Sequence, residues 1–308
     1  MSGVVSEISS TTGISRSSCH RIAKTAFLRY KTFDLRKKNG GIRTVAQPAR
    51  EVKAVQRAIC DILSPQLLVH PLATAYKKNS SILINASVHA GCRFLTKLDF
   101  KDFFGSINAA TLAKVLQSSC ENMTDAEILF IINSCTWRPN GEKVLCIGAP
   151  SSPFLANAAM YLLDSSISES MLPLNVRYSR YSDDISISCN SPDVLVEAEN
   201  IIRKLVRDCT QPRLSFNEDK RVAVGRSTSM TVTGLTLTNQ GGVSVGRERK
   251  RGVRAGVLRF LSGNMSDEEA IRLKGELAFV LSVEPDFRKV LINTYGASAY
   301  RVLPKQSK

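Results

Sequence analysis

The chain has 308 residues, 43% of them hydrophobic, and 42 lysines and arginines against 27 aspartates and glutamates give it a net charge of +15. This length supports one large domain or two to three smaller ones, and the charge predicts a polyanionic partner, most simply nucleic acid. No apolar run reaches the length of a membrane span, and the polar N-terminus lacks a signal peptide's apolar stretch, so we expect a cytoplasmic protein with no membrane partner. The eight cysteines include no C-x-x-C pair, which favours reduced core cysteines over disulfides or a zinc site.

The N-terminal part of the chain is predicted to contain helices and one hairpin. Residues 1–30 are predicted to be helical, and the helix-turn-helix-like pattern TTGISRSSCHRIA is interpreted as packing helices. RKKNGGIRTVAQP (Arg36–Pro48) predicts a strand, an Asn-Gly-Gly turn and a second strand that ends at proline. The apolar spacing that follows predicts a helix over Glu51–Leu63.

A strand and a long helix are predicted in the middle of the chain. RFLTKLDF (Arg93–Phe100) predicts a strand that has Asp99 near its end. SSPFLANAAMYLLDSS predicts one continuous helix, because Ser152 is a suitable N-cap and Pro153 suits the first helical position. The predicted core face of this helix consists of Leu155, Ala158, Ala159, Leu162 and Leu163.

The stretch RYSRYSDDISISC (Arg177–Cys189) predicts a hairpin with Ser182, Asp183 and Asp184 at its tip. After the tip, apolar residues alternate with serines, which is typical of a half-buried strand. Two adjacent carboxylates repel each other and need a cation nearby. A lone Asp-Asp pair is most simply a solvated acidic turn, so its interpretation depends on the rest of the chain.

The C-terminal region is predicted to be basic and helical. SDEE (Ser266–Glu269) is a capping box that starts a helix. Between residues 246 and 260, six basic residues accompany one acid, and Arg247, Arg251 and Arg254 share one helical face. That face is suited to phosphates, whereas the opposite apolar face packs inward. The order of the predicted helices and strands indicates an α+β chain. Because the composition changes near Gly241, we expect the chain to be divided into residues 1–30, 31–240 and 241–308.

Asp99 and the Asp183–Asp184 pair are candidate ligands of one metal site. Asp99 ends a predicted strand 84 residues before Asp183. Nucleotidyl transfer uses two magnesium ions about 3.5–4 Å apart, and magnesium prefers hard oxygen ligands. A strand end facing a hairpin tip would provide three such carboxylates, and the ions would relieve their repulsion. The pattern predicts two Mg²⁺ ions bound by Asp99, Asp183 and Asp184.

Several motifs in order resemble those of reverse transcriptases. RKKNGGIRTVAQPAREVKAVQRAI resembles the opening fingers motif of bacterial members, and LDFKDFF resembles the first catalytic motif. GAPSSPFLAN resembles the motif that follows the first catalytic motif, and YSDD resembles the Tyr-x-Asp-Asp box. NEDK resembles the motif that follows this box. NASVH (Asn85–His89) and VTG (Val232–Gly234) resemble retron signatures. The resemblance, from about Leu35 to Leu237, implies a right-hand polymerase with an N-terminal helical segment (1–30), fingers and a palm of antiparallel sheet plus helices (31–240), and a helical thumb (241–308).

This resemblance implies roles for individual residues. Asp99, Asp183 and Asp184 would be catalytic metal ligands, and Lys220 would protonate or neutralise the leaving pyrophosphate. Phe104 lies where the family keeps an aromatic that excludes the 2′-hydroxyl of ribonucleotides; otherwise it is an ordinary core residue. The implied nucleotide-binding residues are Lys37, Lys38, Arg43, Phe104, Gly148 and Ala149, and the implied RNA-binding residues are Arg247, Arg251 and Arg254.

Two features depart from the pattern or leave their role open. Cys146 and Ile147 stand where family members usually have Pro-Gln, which affects expectations of nucleotide affinity and fidelity but not of the metal chemistry. A helix through NASVH would place Asn85 and His89 one turn apart. A structural or RNA-contacting role for His89 is favoured over a catalytic one.

The expected function follows from the resemblance. A retron reverse transcriptase copies part of a structured noncoding RNA into single-stranded DNA from deoxynucleoside triphosphates. It primes from an RNA 2′-hydroxyl, leaves a branched RNA–DNA product, and commonly acts in anti-phage defence with a separate effector protein. The alternatives are an intron or diversity-generating reverse transcriptase, and a non-catalytic RNA-binding scaffold with a polymerase-like fold.

Overall fold

The computed structural model describes residues 3–36 and 40–304. Its helices are α1 (Val4–Thr12), α2 (Arg16–Thr25), α3 (Arg50–Leu63), α4 (Ile82–Val88), α5 (Ala109–Ser119), α6 (Asp125–Cys135), α7 (Ser152–Ala159), α8 (Tyr161–Met171), α9 (Pro192–Asp208), α10 (Arg247–Leu261), α11 (Asp267–Val283) and α12 (Phe287–Tyr295). Its strands are β1 (Tyr30–Arg36), β2 (Ile42–Pro48), β3 (Phe94–Asp99), β4 (Arg177–Tyr181), β5 (Asp184–Cys189), β6 (Val222–Gly225), β7 (Thr231–Val232), β8 (Leu235–Leu237) and β9 (Val243–Ser244). The predicted α+β class is confirmed.

A four-stranded antiparallel sheet, in the order β4-β5-β3-β6, forms the centre of the molecule. The apolar residues of β5 belong to the larger hydrophobic core, together with those of α8 and α9. Because β3 and β5 are antiparallel and adjacent, the end of β3 lies beside the start of β5. This arrangement brings the two acidic motifs together although they are distant in sequence.

The prediction of a half-buried strand after the Asp-Asp pair was wrong. Ser186 and Ser188 of β5 are as buried as the isoleucines between them. Ile185 and Ile187 face the larger core, while the Ser188 hydroxyl contacts His89, which follows α4. Ser188 therefore faces a second layer of protein, and its polarity reflects a buried hydrogen bond to His89, whereas Ser186 borders a cleft.

The N-terminal helices and the following hairpin agree in part with the sequence. Two helices do form before residue 30, and they pack on α3 and α6. The prediction for the first hairpin strand was wrong in position. This strand was predicted to begin at Arg36, but it begins at Tyr30 and ends at Arg36. Lys37 and Lys38, predicted to bind the triphosphate, lie outside the described residues.

The helix predicted from Ser152 is interrupted. Met160 separates α7 from α8, Ser151 occupies the N-cap position, and Ser152 is the first helical residue. After this interruption, Leu162, predicted to be in the core, is 70% exposed, whereas Asp164 is buried.

A second hydrophobic core joins the C-terminal helices to a small sheet. The three-stranded sheet β7-β8-β9 and the apolar faces of α10, α11 and α12 form this core. The sheet continues across Gly241, and this core also includes Ala86 and Leu95 from earlier in the chain. The capping box of α11 is present, with Ser266 and Glu269 bonding each other's backbone N–H groups. Among the described helices, none has the length and apolar character needed to cross a membrane.

Candidate active site

Asp99 and Asp184 face each other across the central sheet. They are directly opposed Cα partners at the end of β3 and the start of β5. Asp183 lies in the turn just before β5, and its carbonyl oxygen accepts a 3.0 Å hydrogen bond from the backbone N–H of Phe100. The residue before it, Ser182, has a φ of 61°, which directs the chain through a tight left-handed turn. The structure therefore brings the three predicted metal ligands to one end of the sheet.

Lys220 lies beside this acidic group. It ends a short 3-10 turn, Glu218–Lys220, and its Nζ donates to both carboxylate oxygens of Asp99, at 2.7 and 2.8 Å. The backbone N–H of Asn217 donates to the carbonyl of Asp99 at 2.7 Å, which ties the turn to β3. The cation that the acidic pair was expected to require is thus present.

The electrostatics of the acidic group favour binding of positive charge. Asp184 borders the cleft, and partial burial of its carboxyl, then the charge of Asp183 and the hydrogen bond with Asp99, raise its pKa to about 7. Carboxylate oxygens suit a divalent cation chemically. However, the described residues include no group of three or more His, Cys, Asp or Glu side chains arranged to hold a metal ion, and Asp99 is bonded to Lys220.

A cleft of about 310 Å³ adjoins these residues. NASVH and VTG, which the sequence identified only as signatures, meet at this cleft. Thr233 lies in the tight turn between β7 and β8 with a φ of 47°, and its hydroxyl donates to the carbonyl of Ile82 at 3.1 Å. The cleft is lined by Asn85, Lys97, Leu98, Asp99, Asp184, Ser186, Lys220, Thr233 and Gly234.

His89 is a buried structural residue in this arrangement. Its Nδ1 lies 2.7 Å from the Ser188 hydroxyl, and its Nε2 lies 2.8 Å from the Ser179 hydroxyl. Since the Ser179 hydroxyl donates to Asn85 Oδ1, we assign the ring proton to Nε2. Burial, followed by the charge of Arg177, lowers the pKa of His89 to about 3. A neutral imidazole fully occupied by two serines is unsuited to proton transfer.

A second cleft, of about 360 Å³, contains three of the predicted nucleotide-binding residues, Phe104, Gly148 and Ala149. The half-buried ring of Phe104 lies 6.5 Å from that of Tyr76. The complete lining is Lys53, Arg57, Tyr76, Phe104, Cys146, Ile147, Gly148, Ala149, Pro150 and Pro153. Lys53 and Arg57 were missed, although their i, i+4 spacing on the helix after the hairpin could have indicated two cations on one face.

Gly148 is required by its surroundings. Its φ is 111°, and a Cβ there would lie 2.8 Å from the carbonyl oxygen of Ala46. The preceding residue, Ile147, accepts a 2.8 Å hydrogen bond from the backbone N–H of Ala46. Cys146 is buried, and burial raises the pKa of its thiol to about 12. The residues that replace the usual Pro-Gln thus preserve the close contact with β2.

The predicted phosphate-contacting arginines lie on the surface. Arg43 is exposed on β2, opposite Leu35. Arg247, Arg251 and Arg254 are all exposed on α10 and, among the described residues, form no ion pair. The other three basic residues of α10 do pair with acids: Arg249 with Glu276, Lys250 with Glu284, and Arg259 with Glu269. The predicted RNA-binding face of α10 is therefore also the face whose positive charges have no ion-pair partner among the described residues.

Known proteins resemble this chain along most of its length. A family described as reverse transcriptase (RNA-dependent DNA polymerase) matches residues 35–237. Retron Ec83 reverse transcriptase from Escherichia coli is 36% identical over 282 residues, covering 90% of this chain and 90% of that protein. Retron Ec86 reverse transcriptase from Escherichia coli is 32% identical over 288 residues, covering 93% of this chain and 86% of that protein.

A solved structure with the same fold is more distant. Telomerase from Candida albicans, in complex with a TWJ fragment of telomeric RNA, has a TM-score of 0.51 at 12% identity, and the match covers 92% of this chain and 56% of that chain. At this identity the likeness concerns the fold alone, and with the mixed helices and antiparallel sheets it identifies a right-hand polymerase. Together with the family match and the retron relatives, it shows that the chain belongs to the reverse transcriptase (RNA-dependent DNA polymerase) family, among the bacterial retron enzymes.

Proposed function

We propose that this polymerase copies part of a structured noncoding RNA into single-stranded DNA. Deoxynucleoside triphosphates are the substrates, and an RNA 2′-hydroxyl is the primer, so the product is a branched RNA–DNA molecule. The observation that carries the proposal is the opposition of Asp99 and Asp184 across β3 and β5, with Asp183 in the adjoining turn. The 36% identity to a retron reverse transcriptase supports the retron type.

The three carboxylates are proposed to bind two Mg²⁺ ions. When bound, the ions would activate the attacking hydroxyl and neutralise charge on the triphosphate. Asp99, Asp183 and Asp184 supply hard anionic oxygens for this purpose. Lys220 now neutralises Asp99, and in catalysis it is proposed to stabilise the departing pyrophosphate.

The second cleft is proposed to hold the incoming nucleotide. Gly148 and Ala149 are proposed to allow close approach of the nucleotide, and the ring of Phe104, which lines the same cleft, is proposed to exclude a 2′-hydroxyl. Arg43 is proposed to bind the triphosphate together with Lys37 and Lys38, which lie outside the described residues. Arg43 lies on β2, the strand that precedes α3, and Lys53 of α3 lines the second cleft.

The noncoding RNA is proposed to contact α10. Arg247, Arg251 and Arg254 provide three unpaired cations on one face, which suits phosphates of an RNA stem. In this assignment, residues 31–240 form the fingers and palm and residues 241–308 form the thumb. The broader proposal is a cytoplasmic anti-phage system that also includes a separate effector protein.

Sequencing of the nucleic acids that co-purify with the protein tests the proposed product. A branched RNA–DNA molecule is expected, and recovery of RNA with no attached DNA from an active preparation would contradict the priming proposal.

The metal site is tested by changing Asp183→Asn and Asp184→Asn together. Extension should fall by at least about 10³-fold, while RNA binding and the thermal midpoint should change little.

A matched control keeps the same change in charge. Asp61→Asn with Asp208→Asn removes two exposed aspartates from α3 and α9. This control should extend primers at the wild-type rate in Mg²⁺. If the Asp183 and Asp184 double variant does so too, these residues are not the metal ligands.

A further inference from the structure

Arg180 is a fully buried arginine directly behind the acidic turn. Both Arg180 and Asp164 have side chains that are 0% exposed. Nε and Nη2 of Arg180 donate to the two carboxylate oxygens of Asp164, at 2.8 and 2.6 Å. The Tyr178 hydroxyl donates to the same carboxylate at 2.6 Å. The guanidinium is therefore fixed from one side by a two-bond ion pair with α8.

The remaining nitrogen of Arg180 points at the turn. Nη1 donates to the backbone carbonyl of Ser182 at 2.8 Å and to Asn157 Oδ1 at 3.1 Å. Ser182 has the left-handed φ of 61°, which is uncommon for serine and persists only when the surroundings fix it. Asp183 is the next residue. A single side chain thus holds the peptide that precedes a proposed metal ligand.

The same group of hydrogen bonds continues into the second cleft. Asn157 Nδ2 donates to the carbonyl of Ala75 at 2.9 Å. The next residue, Tyr76, lines the second cleft, and its hydroxyl lies 3.2 Å from the Ser182 hydroxyl. The turn is therefore held on two sides: by Arg180 at its carbonyl and by Tyr76 at its side chain.

Stability is a weak explanation for this ion pair. Burying two charges costs solvation that their attraction does not always recover, and apolar residues of similar volume often replace such a pair without loss of stability. What an apolar replacement cannot provide is a donor for the Ser182 carbonyl. The planar guanidinium can bind a carboxylate with one edge and still direct Nη1 to that carbonyl.

We propose that Arg180 is a positioning residue for the acidic turn, and that the Asp164–Arg180 pair sets the orientation of Asp183. The proposal rests on the proposed metal site. It implies that the reaction rate and metal affinity depend on a bond from Arg180 to a backbone carbonyl, although Arg180 touches neither metal nor substrate. A displacement of about 1 Å at a reacting group can cost about 10²-fold in rate.

Two charge-conserving changes test this role. Arg180→Lys keeps the charge but lacks the fork needed to reach Asp164 and Ser182 together. The triple change Asp164→Leu, Tyr178→Phe and Arg180→Met removes both charges and the hydroxyl, leaving an apolar interior. Because neither alters net charge, a change in metal affinity reports geometry. Arg177→Lys is the matched control, since this exposed arginine on the same strand bonds the carbonyls of Val88 and Ala90.

The measurements are direct Mn²⁺ binding by electron paramagnetic resonance without nucleotide, single-turnover extension at saturating nucleotide, and the thermal midpoint. We expect the triple variant to stay folded, to bind Mn²⁺ about 10-fold more weakly or worse, and to extend about 100-fold more slowly, with an unchanged nucleotide KM. Arg180→Lys should show the same direction of change, and Arg177→Lys should resemble the wild type.

Each outcome separates this role from the proposed function. Wild-type Mn²⁺ affinity and rate in a folded triple variant, or in Arg180→Lys if the triple variant does not fold, would overturn the positioning role. A loss of thermal stability in Arg180→Lys without change in affinity or rate would also overturn it and leave a structural role. Absence of Mn²⁺ binding by the wild type would instead contradict the metal site itself.

Discussion

Lys220 holds both carboxylate oxygens of Asp99, at 2.7 and 2.8 Å, so one ammonium group occupies the oxygens that a metal ion would need. A cation at the proposed metal site would therefore compete with Lys220 for Asp99, and electrostatic repulsion between the two would weaken binding of the ion. The same ammonium is available to a developing negative charge when it is released from Asp99.

Lys220→Ala should change these two properties in opposite directions. Mn²⁺ affinity without nucleotide should rise several-fold, because the competing cation is gone. The single-turnover rate should fall about 10²-fold, because charge on the leaving pyrophosphate is no longer stabilised. Lys204→Ala, an exposed position on α9, is the control. If only the apparent nucleotide affinity changes, Lys220 is a ground-state contact and the leaving-group role is wrong.

Phe104→Ala should admit ribonucleotides more readily. The ring forms part of the wall of the second cleft, near Tyr76, so its removal opens space without disturbing the carboxylates. The ratio of dNTP to rNTP incorporation should fall by about 10-fold or more, as expected when a steric barrier is removed. Phe104→Tyr keeps the ring and should keep most of the discrimination. An unchanged ratio in an active Phe104→Ala enzyme would leave Phe104 as a core residue only.

Changing Arg247, Arg251 and Arg254 to Glu should weaken binding of the partner RNA. Each lost phosphate contact reduces counterion release, so the slope of log K against log salt should become shallower by about one per contact. Activity on a generic primer-template at high concentration should fall less than activity on the native RNA. A salt titration of RNA binding measures the effect.

The control for this face uses three cations of α2. Changing Arg16, Arg21 and Lys24 to Glu alters the net charge by the same amount on another exposed surface. Binding by this control should keep the wild-type salt slope. Equal losses in both triple variants would indicate a general charge effect, and α10 would then not be a specific RNA-binding face.

His89 should make the protein less stable at acidic pH. Its pKa is about 3 in the folded chain, below the ordinary value of 6.5, so between these limits the unfolded chain binds a proton that the folded chain does not. His89 therefore costs stability as pH falls from 6.5 towards 3, by about 1.4 kcal/mol per pH unit. His89→Gln should remove this share of the pH dependence in denaturant unfolding, whereas His20→Gln, at an exposed site on α2, should retain it.

The sequence was most informative where chemistry and periodicity coincide. The ligand chemistry of a two-metal site predicted that the strand end with Asp99 would face the hairpin tip with Asp183 and Asp184, and the pairing of β3 with β5 places Asp99 opposite Asp184. The VTG and NASVH motifs were recognised, but nothing in their spacing indicated that they share a cleft. That contact is produced by the second core, which brings β8 against α4.

Other features depend on three-dimensional context that a linear pattern does not contain. Beyond the interruption at Met160, Asp164 is buried and Leu162 is exposed, and the continuous helical period predicted from the sequence did not show this. Arg180 lies on β4, and its charged side chain can be buried only because Asp164, 16 residues earlier, pairs with it. Buried serines such as Ser188 resemble solvent-facing residues in sequence, because only their partners distinguish the two.

The chain of hydrogen bonds through His89 also protects the pairing of the strands that carry the acidic turn. Ser179 on β4 and Ser188 on β5 must both meet the imidazole, at 2.8 and 2.7 Å. A shift of β5 by one residue would present Ile187 or Cys189 to the ring and leave a buried nitrogen without a partner, which is costly. An apolar interface would tolerate several alignments of similar energy, whereas this polar one disfavours a shift of one residue. Misaligned folding products in which Asp184 no longer opposes Asp99 are thereby made unfavourable at a site some distance from the aspartates themselves.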